Sequence, residues 1–259
     1  MEGKLEKVRE LDGRLEIMVT HGCTAHFHSQ VELLAVRRGA VNVTVNGVSR
    51  RLTAGNAVIA DSYAVHAWAP EPRGEGVVLI VPVKYLAEYS AIMKGRTFAE
   101  SVISDGTEGG RILKLLELLK SERPDSLAAR GMVTAILGEF VERLPKRARN
   151  TDNQTDLMRD ALLYLTDNFT EPLSLGILAK KYGYTPSHFS RIFNAYTGKS
   201  LTSYLGTLRA ERAAELLSAG RSVTEAAAEA GFLSMRSFYR IFSDVHGATP
   251  RDYLLRVGV

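Results

Sequence analysis

Two stretches of this sequence repeat one plan, and that repeat constrains the fold more than any other feature. The first reads Leu178-Ala179-Lys180-Lys181-Tyr182-Gly183-Tyr184, then Thr185-Pro186-Ser187-His188-Phe189-Ser190-Arg191-Ile192-Phe193, and closes at Gly198. The second reads Ala226-Ala227-Ala228-Glu229-Ala230-Gly231-Phe232, then Leu233-Ser234-Met235-Arg236-Ser237-Phe238-Tyr239-Arg240-Ile241-Phe242, and closes at Gly247. In each, an alanine-containing helical stretch meets a Gly-aromatic turn and continues into a helix bearing Phe-x-Arg-Ile-Phe. A glycine just past a helix supplies the left-handed backbone that reverses the chain. The repeat therefore reads as two helix-turn-helix units.

Capping agrees with those boundaries. Thr185-Pro186 places a hydroxyl at the N-cap and proline at the first helical position, and Thr249-Pro250 opens a short final helix the same way. Ser222-Val223-Thr224-Glu225 is a capping box. Between the units, Ser200 to Leu217 is an unbroken helical pattern with Leu201, Leu205, Leu208 and Ala213 on one side. At about 1.5 Å per residue this spacer is roughly 27 Å long, near the ~34 Å between successive major-groove faces on one side of B-DNA.

In each copy the phenylalanines and isoleucine fall on the buried side. The outward positions are Ser187, Ser190 and Arg191 in the first and Met235, Arg236, Ser237, Tyr239 and Arg240 in the second. Arginine can read guanine O6 and N7 with two hydrogen bonds or clamp a phosphate. Hydroxyls serve base edges or the sugar-phosphate backbone. Solvated surface charge would explain one such helix, but two in register favour DNA.

This arrangement resembles the AraC/XylS family of bacterial transcription regulators, from Leu157 to Arg256. The landmarks are Leu173-Ser174-Leu175, Leu178-Ala179, Phe189 to Phe193, Thr197-Gly198, Leu208-Arg209, Arg212-Ala213, Leu216-Leu217, Gly231-Phe232, Phe238, Phe242 and Gly247-x-Thr249-Pro250-x-x-Tyr253. The resemblance implies that the second helix of each unit enters the major groove of double-stranded promoter DNA. It further implies a small-molecule effector bound by the N-terminal domain, activation as the sign of control, and RNA polymerase as a partner. Three positions depart from the pattern. The helix opening the second unit has Val223 and Ala226 where the family usually carries isoleucines, and Gly176 inside the first opening helix costs about 1 kcal/mol against alanine.

The N-terminal part reads as β structure. Val31-Glu32-Leu33-Leu34-Ala35-Val36 and Val41-Asn42-Val43-Thr44-Val45 are short, β-branched runs punctuated by Gly39, Asn46-Gly47 and Gly55. Asn46-Gly47 signals a type I′ hairpin, and strands at this spacing suggest a sandwich or barrel. From Glu108 the periodicity becomes helical. Ile112 to Leu119 forms one apolar helix, and Leu127, Met132, Ile136, Leu137, Phe140 and Leu144 mark a second. Such a pair packs on the β domain or on a second copy of the chain.

Within the β segment stand His26-Phe27-His28, Glu32, Gly39 and later Gly55 with His66. On an unbulged strand, residues 26, 28 and 32 share one face. Three imidazoles and a carboxylate suit a first-row divalent transition metal. The spacing resembles the two cupin motifs, and a cupin barrel is the usual sensor of AraC-like regulators. Asp61 and Tyr63 depart from the second motif. Three readings stay open: an organic effector such as a sugar, a bound metal, or histidines in structural roles. Tyr63 and Trp68 could stack on a sugar face. Cys23 is a soft ligand or an inert buried thiol, and His21 has no placed partner.

Composition bounds the rest. The 259 residues carry a net charge of +4 and one cysteine, which excludes an internal disulfide. Residues 145–150 contribute three basic side chains and no acidic one, so residues 145–154 read as a linker. The charged start Met1 to Glu6 is unlike a signal peptide, and no apolar run reaches ~20 residues. The expectation is a cytoplasmic, non-membrane α+β chain. Residues 1–106 form a cupin-like β-barrel, 107–144 a transmitting or dimerising helical pair, 145–154 the linker, and 155–259 the DNA-binding domain. A homodimer is compatible with the helical pair. No catalytic residue is expected; a metal-dependent cupin enzyme fused to a DNA-binding module is the weaker alternative.

Overall fold

The structure, a computed structural model, describes residues 4–5, 15–20, 22–82, 85–150 and 152–257; His21 and most of the charged start lie outside them. The chain forms two compact units, Met1–Arg159 and Asp160–Val259.

In the first unit, two five-stranded sheets face each other. One has the order β1 (Lys4–Leu5), β3 (Cys23–Phe27), β8 (His66–Pro70), β5 (Ala40–Val45), β6 (Val48–Thr53). The other runs β11 (Val102–Ile103), β7 (Ala57–Ala60), β4 (Val31–Arg38), β9 (Glu75–Val81), β2 (Glu16–Val19). Asn46 and Gly47 sit at φ 49° and 83° and join β5 to β6, the hairpin their residue types demand. Alternation along β4 sorts the core. Leu34 and Val36 face the interior between the sheets with Val41, Val43, Trp68 and Ile80. Val31, Leu33 and Ala35 face outward under the helices.

Among the described residues no ladder joins the two sheets, so the expected barrel is an open sandwich. Edge strand β6 accounts for this: Val48, Ser49, Arg50 and Arg51 are all exposed, and charged side chains on an edge discourage further pairing.

Helices α1 (Ala87–Ile92), α2 (Gly106–Leu119) and α3 (Leu127–Arg143) cover the outer face of the second sheet. Asp105 and Ser126 cap α2 and α3. Ile112, Leu116, Ile136 and Phe140 are fully buried there, so the helical pair packs on its own β domain, while Leu118 and Leu127 remain exposed. A Cβ on Gly109 would stand 1.8 Å from the Gly55 carbonyl oxygen, and only glycine permits that approach. The basic stretch read as a linker carries a strand instead. β12 (Lys146–Ala148) pairs with β10 (Arg96–Phe98), and Arg147 is bridged to Asp156.

Helix α4 (Gln154–Asn168) carries the chain from the first unit into the second. The second unit then builds the repeat as two short helix pairs around one long helix. The first pair is α5 (Leu175–Lys181) and α6 (Pro186–Thr197), and the second is α8 (Val223–Glu229) and α9 (Met235–His246). The spacer α7 (Leu201–Ser218) separates them and α10 (Pro250–Val257) closes the chain. Thr185 and the Ser222–Glu225 box cap as read, Ser200, read as the first residue of the spacer helix, caps it instead, and Gly198 and Gly247 end their helices at φ 68° and 63°. Phe189, Phe193, Phe238 and Phe242 are fully buried. Arg209 on α7 donates to the carbonyls of Phe169 and Glu171 at 2.7 and 2.8 Å, tying the spacer to the loop before α5.

Candidate functional site

Burial of the phenylalanines decides what α6 and α9 present to solvent. Ser187 and Arg191 are exposed on α6, with Ser190 half-buried; Arg236, Tyr239 and Arg240 are exposed on α9. Half-buried Ser190 departs from the outward sequence reading, and two further positions differ as well. Met235 is half-buried against the core of its unit, and Ser237 is half-buried in the cap, its Oγ 3.0 Å from the Ser234 hydroxyl. Met235 is turned inward by packing on that core, and Ser237 by its contact with the N-cap hydroxyl of Ser234. His188, passed over in the sequence, stacks on Tyr184 and accepts from Arg191 at 3.3 Å. This (i, i+3) contact follows from helical spacing.

The second site lies inside the sandwich. His26, His28, Glu32 and His66 offer ligand atoms that all lie within 4.8 Å of one another. They do not come from one continuous strand. The chain leaves β3 after Phe27 and crosses from one sheet to the other before β4, so His26 and Glu32 face each other across the interior. A bulge between Cys23 and His26 sets the register in which His26 opposes His66. The imidazole centroids are 4.3–5.5 Å apart, and the four residues are 8, 1, 2 and 1% exposed in chain order.

Hydrogen bonding orients the rings alike. His26 Nδ1 lies 2.8 Å from the Thr24 carbonyl, His28 Nδ1 3.2 Å from Gln30, and His66 Nδ1 2.9 Å from Ala64. A carbonyl oxygen only accepts, so each Nδ1 carries a hydrogen and each Nε2 is left to face the cluster. There, His28 Nε2 and His66 Nε2 lie 3.1 and 3.4 Å from the same Glu32 oxygen. Neutral Nε2 and a carboxylate are both acceptors, so a proton or a metal cation must lie between them. Burial pushes the Glu32 carboxyl upward, yet its hydrogen bonds and charge interactions with His28 and His66 outweigh that and hold it well below the usual range. The other Glu32 oxygen accepts from the Trp68 indole at 2.5 Å.

The remaining sequence candidates serve this site indirectly. Tyr63 is 1% exposed, and its backbone N–H donates to the His28 carbonyl at 2.8 Å, tying the loop before His66 to His28. Trp68 is 2% exposed and engaged with Glu32. Cys23 Sγ accepts from the Trp68 backbone amide at 3.3 Å, and it is outside the four-residue cluster.

Two helix-turn-helix units on a long rigid spacer define a DNA-binding module, and similarity to known proteins agrees. Residues 178–256 match a family described as a helix-turn-helix domain. The chain is 36% identical over 100 residues to the Tn10 TetD protein of Escherichia coli, covering 38% of this chain and 72% of that one. It is 27% identical over 177 residues to YfiF of Bacillus subtilis (strain 168), an uncharacterized HTH-type transcriptional regulator. That match covers 63% of this chain and spans little more than half, 56%, of the relative. Among solved structures, an apo form of ToxT from Vibrio cholerae is 10% identical with TM-score 0.44, covering 94% of this chain and 98% of that chain.

The chain belongs to the AraC-type family of helix-turn-helix transcription regulators. Among the described residues, no helix is long and apolar enough to cross a membrane.

Proposed function

We propose that this regulator reads promoter DNA with α6 and α9 and that its DNA affinity is set by a divalent transition metal held by His26, His28, Glu32 and His66. The single observation that carries the metal reading is the shared orientation of the three imidazoles. Each Nδ1 is committed to a backbone carbonyl, leaving three Nε2 atoms and one carboxylate oxygen around one point. Such donors suit Fe, Mn, Ni or Zn. When bound, the metal would supply charge that relieves the facing acceptors. A sugar ring does not fit among imidazoles 4.3–5.5 Å apart, so the cluster itself favours an ion over a carbohydrate.

On the DNA side, Arg191, Arg236 and Arg240 would read bases or clamp phosphates, with Ser187, Ser190, Tyr239 and the first-turn serine Ser237 supplying hydroxyls. Activation through RNA polymerase is part of the same proposal. Metal analysis by mass spectrometry, on protein purified without tag or chelator, should find about one metal per chain, lost in His26→Ala/His28→Ala. Promoter binding should then change between loaded and stripped protein. Absence of metal in the purified protein, together with unchanged promoter binding when Zn, Ni, Mn or Fe is added, would refute the metal reading.

A further inference from the structure

The open side of the sandwich holds a cavity of about 360 Å³ that the metal cluster does not use. It lies where edge strand β6 and edge strand β11 fail to pair. Val43 and Val45 from β5 and Val102 from β11 give it apolar surface. Cross-strand pairing sets Val48 opposite Val45 and Arg50 opposite Val43, so Arg50 stands on the face of β6 that looks toward the interior.

The charges on this lining are unequal in status. Arg147 and Asp156 neutralise each other at 2.5 Å. Burial pushes the Asp156 carboxyl up, but Arg147 and the Asn150 amide outweigh it and keep the group ionised. Among the described residues Arg50 donates only to the Ser49 carbonyl, at 3.1 Å. Glu100 lines the same cavity, and among the described residues neither Arg50 nor Glu100 has an ion-pair partner. Within that set, the cavity thus offers a free cation, a free anion and an apolar wall, at the small end of the usual range for ligand pockets.

We infer that this cavity binds a small zwitterion with a bulky apolar side chain, an α-amino acid of the leucine or phenylalanine kind. The carboxylate meets Arg50, the ammonium meets Glu100, and the side chain covers the valines. A simple organic acid would leave Glu100 facing a second negative charge, and a simple amine would do the same to Arg50. The wall includes Asp156 in the first turn of α4, the helix that leads out of this unit, so occupancy also buttresses that turn. Binding does not depend on the metal reading; only its consequence for DNA affinity rests on the regulator reading.

Calorimetric titration of the full chain tests this with phenylalanine, 3-phenylpropionate and 2-phenylethylamine, and in parallel with leucine and 4-methylpentanoate. At least one amino acid should bind tighter than its deaminated or decarboxylated partner. Arg50→Ala should weaken the amino acid and the acid tenfold or more, the scale of one charge-assisted hydrogen bond. Glu100→Gln should weaken the amino acid while leaving the acid unchanged or improved. Chelator-stripped protein should bind the amino acid as the untreated chain does, so loss of metal and loss of this site are told apart. No binding by either amino acid, acids binding as tightly as amino acids, or indifference to both charge variants would overturn the inference.

Discussion

Arg159 of α4 forms an ion pair with Asp61, and the two residues are 3 and 6% exposed. Arg159 also donates to the Thr97 hydroxyl at 2.8 Å, and Asp61 accepts from the Ser62 amide at 2.8 Å. Asp61 begins the loop that returns to His66, while Arg159 is the last residue of the first unit. The charged head of the loop that serves the histidine cluster is thereby fastened to the helix that leaves the unit.

Breaking this pair leaves a charge buried without its partner, which costs about 3–5 kcal/mol. Asp61→Asn should therefore lower the urea midpoint of the first unit strongly. The double variant Asp61→Leu/Arg159→Met should recover most of the loss. Trp68 is the single tryptophan and lies in this unit, so its fluorescence follows that transition alone.

Trp68 also reports on the cluster, since its ring centroid is 5.1 Å from that of His66 and its indole donates to Glu32. Titrating stripped protein with Co²⁺ or Ni²⁺ should quench its emission and saturate near one equivalent. Glu32→Gln should weaken the response tenfold or more, as loss of a charged ligand does. Unquenched fluorescence would argue against metal at this point.

Arg191→Ala and Arg240→Ala should each cost ~1–3 kcal/mol at the specific promoter site if the arginine reads a base. Gel-shift competition against scrambled DNA separates the cases, because a phosphate contact would weaken all sequences alike. Arg240 stands 3.5 Å from Asp244 in an exposed pair of little energetic consequence, so removing it should leave thermal stability unchanged.

In the second unit, burial pushes the His246 imidazole below its ordinary value, although its contact with the Ala210 carbonyl at 3.3 Å works the other way. A histidine with a depressed folded value stabilises the fold fully above its unfolded pKa of about 6.5. That contribution fades as pH falls through the lower folded value. Thermal melting of the DNA-binding unit should accordingly weaken between pH 7 and 5, and His246→Gln should flatten the trend.

Gly109→Ala should destabilise the first unit by several kcal/mol, because its methyl would strike the Gly55 backbone. Gly110, one position on, meets nothing within 4 Å, so Gly110→Ala is the matched control and should be neutral or slightly stabilising.

The helical half was legible residue by residue. Thr185-Pro186, Ser222 with Glu225, and the glycines at 198 and 247 act on backbone groups within a turn of themselves, so local order alone states where each helix starts and stops. The Asn46-Gly47 hairpin belongs to the same class. Residue types also marked His26, His28, Glu32 and His66 as a group, but the strand argument for their meeting did not hold. They converge because the chain crosses between sheets after Phe27, and the backbone carbonyls that orient the three rings are visible only in the fold. Likewise the basic run 145–150 looked like a solvated linker until β12 paired with β10 and Asp156 received Arg147. Hydrogen-bond caps and turns are set by neighbours in sequence. Ion pairs, sheet edges and buried clusters are set by which distant surfaces exclude water together, and that is decided by the tertiary structure.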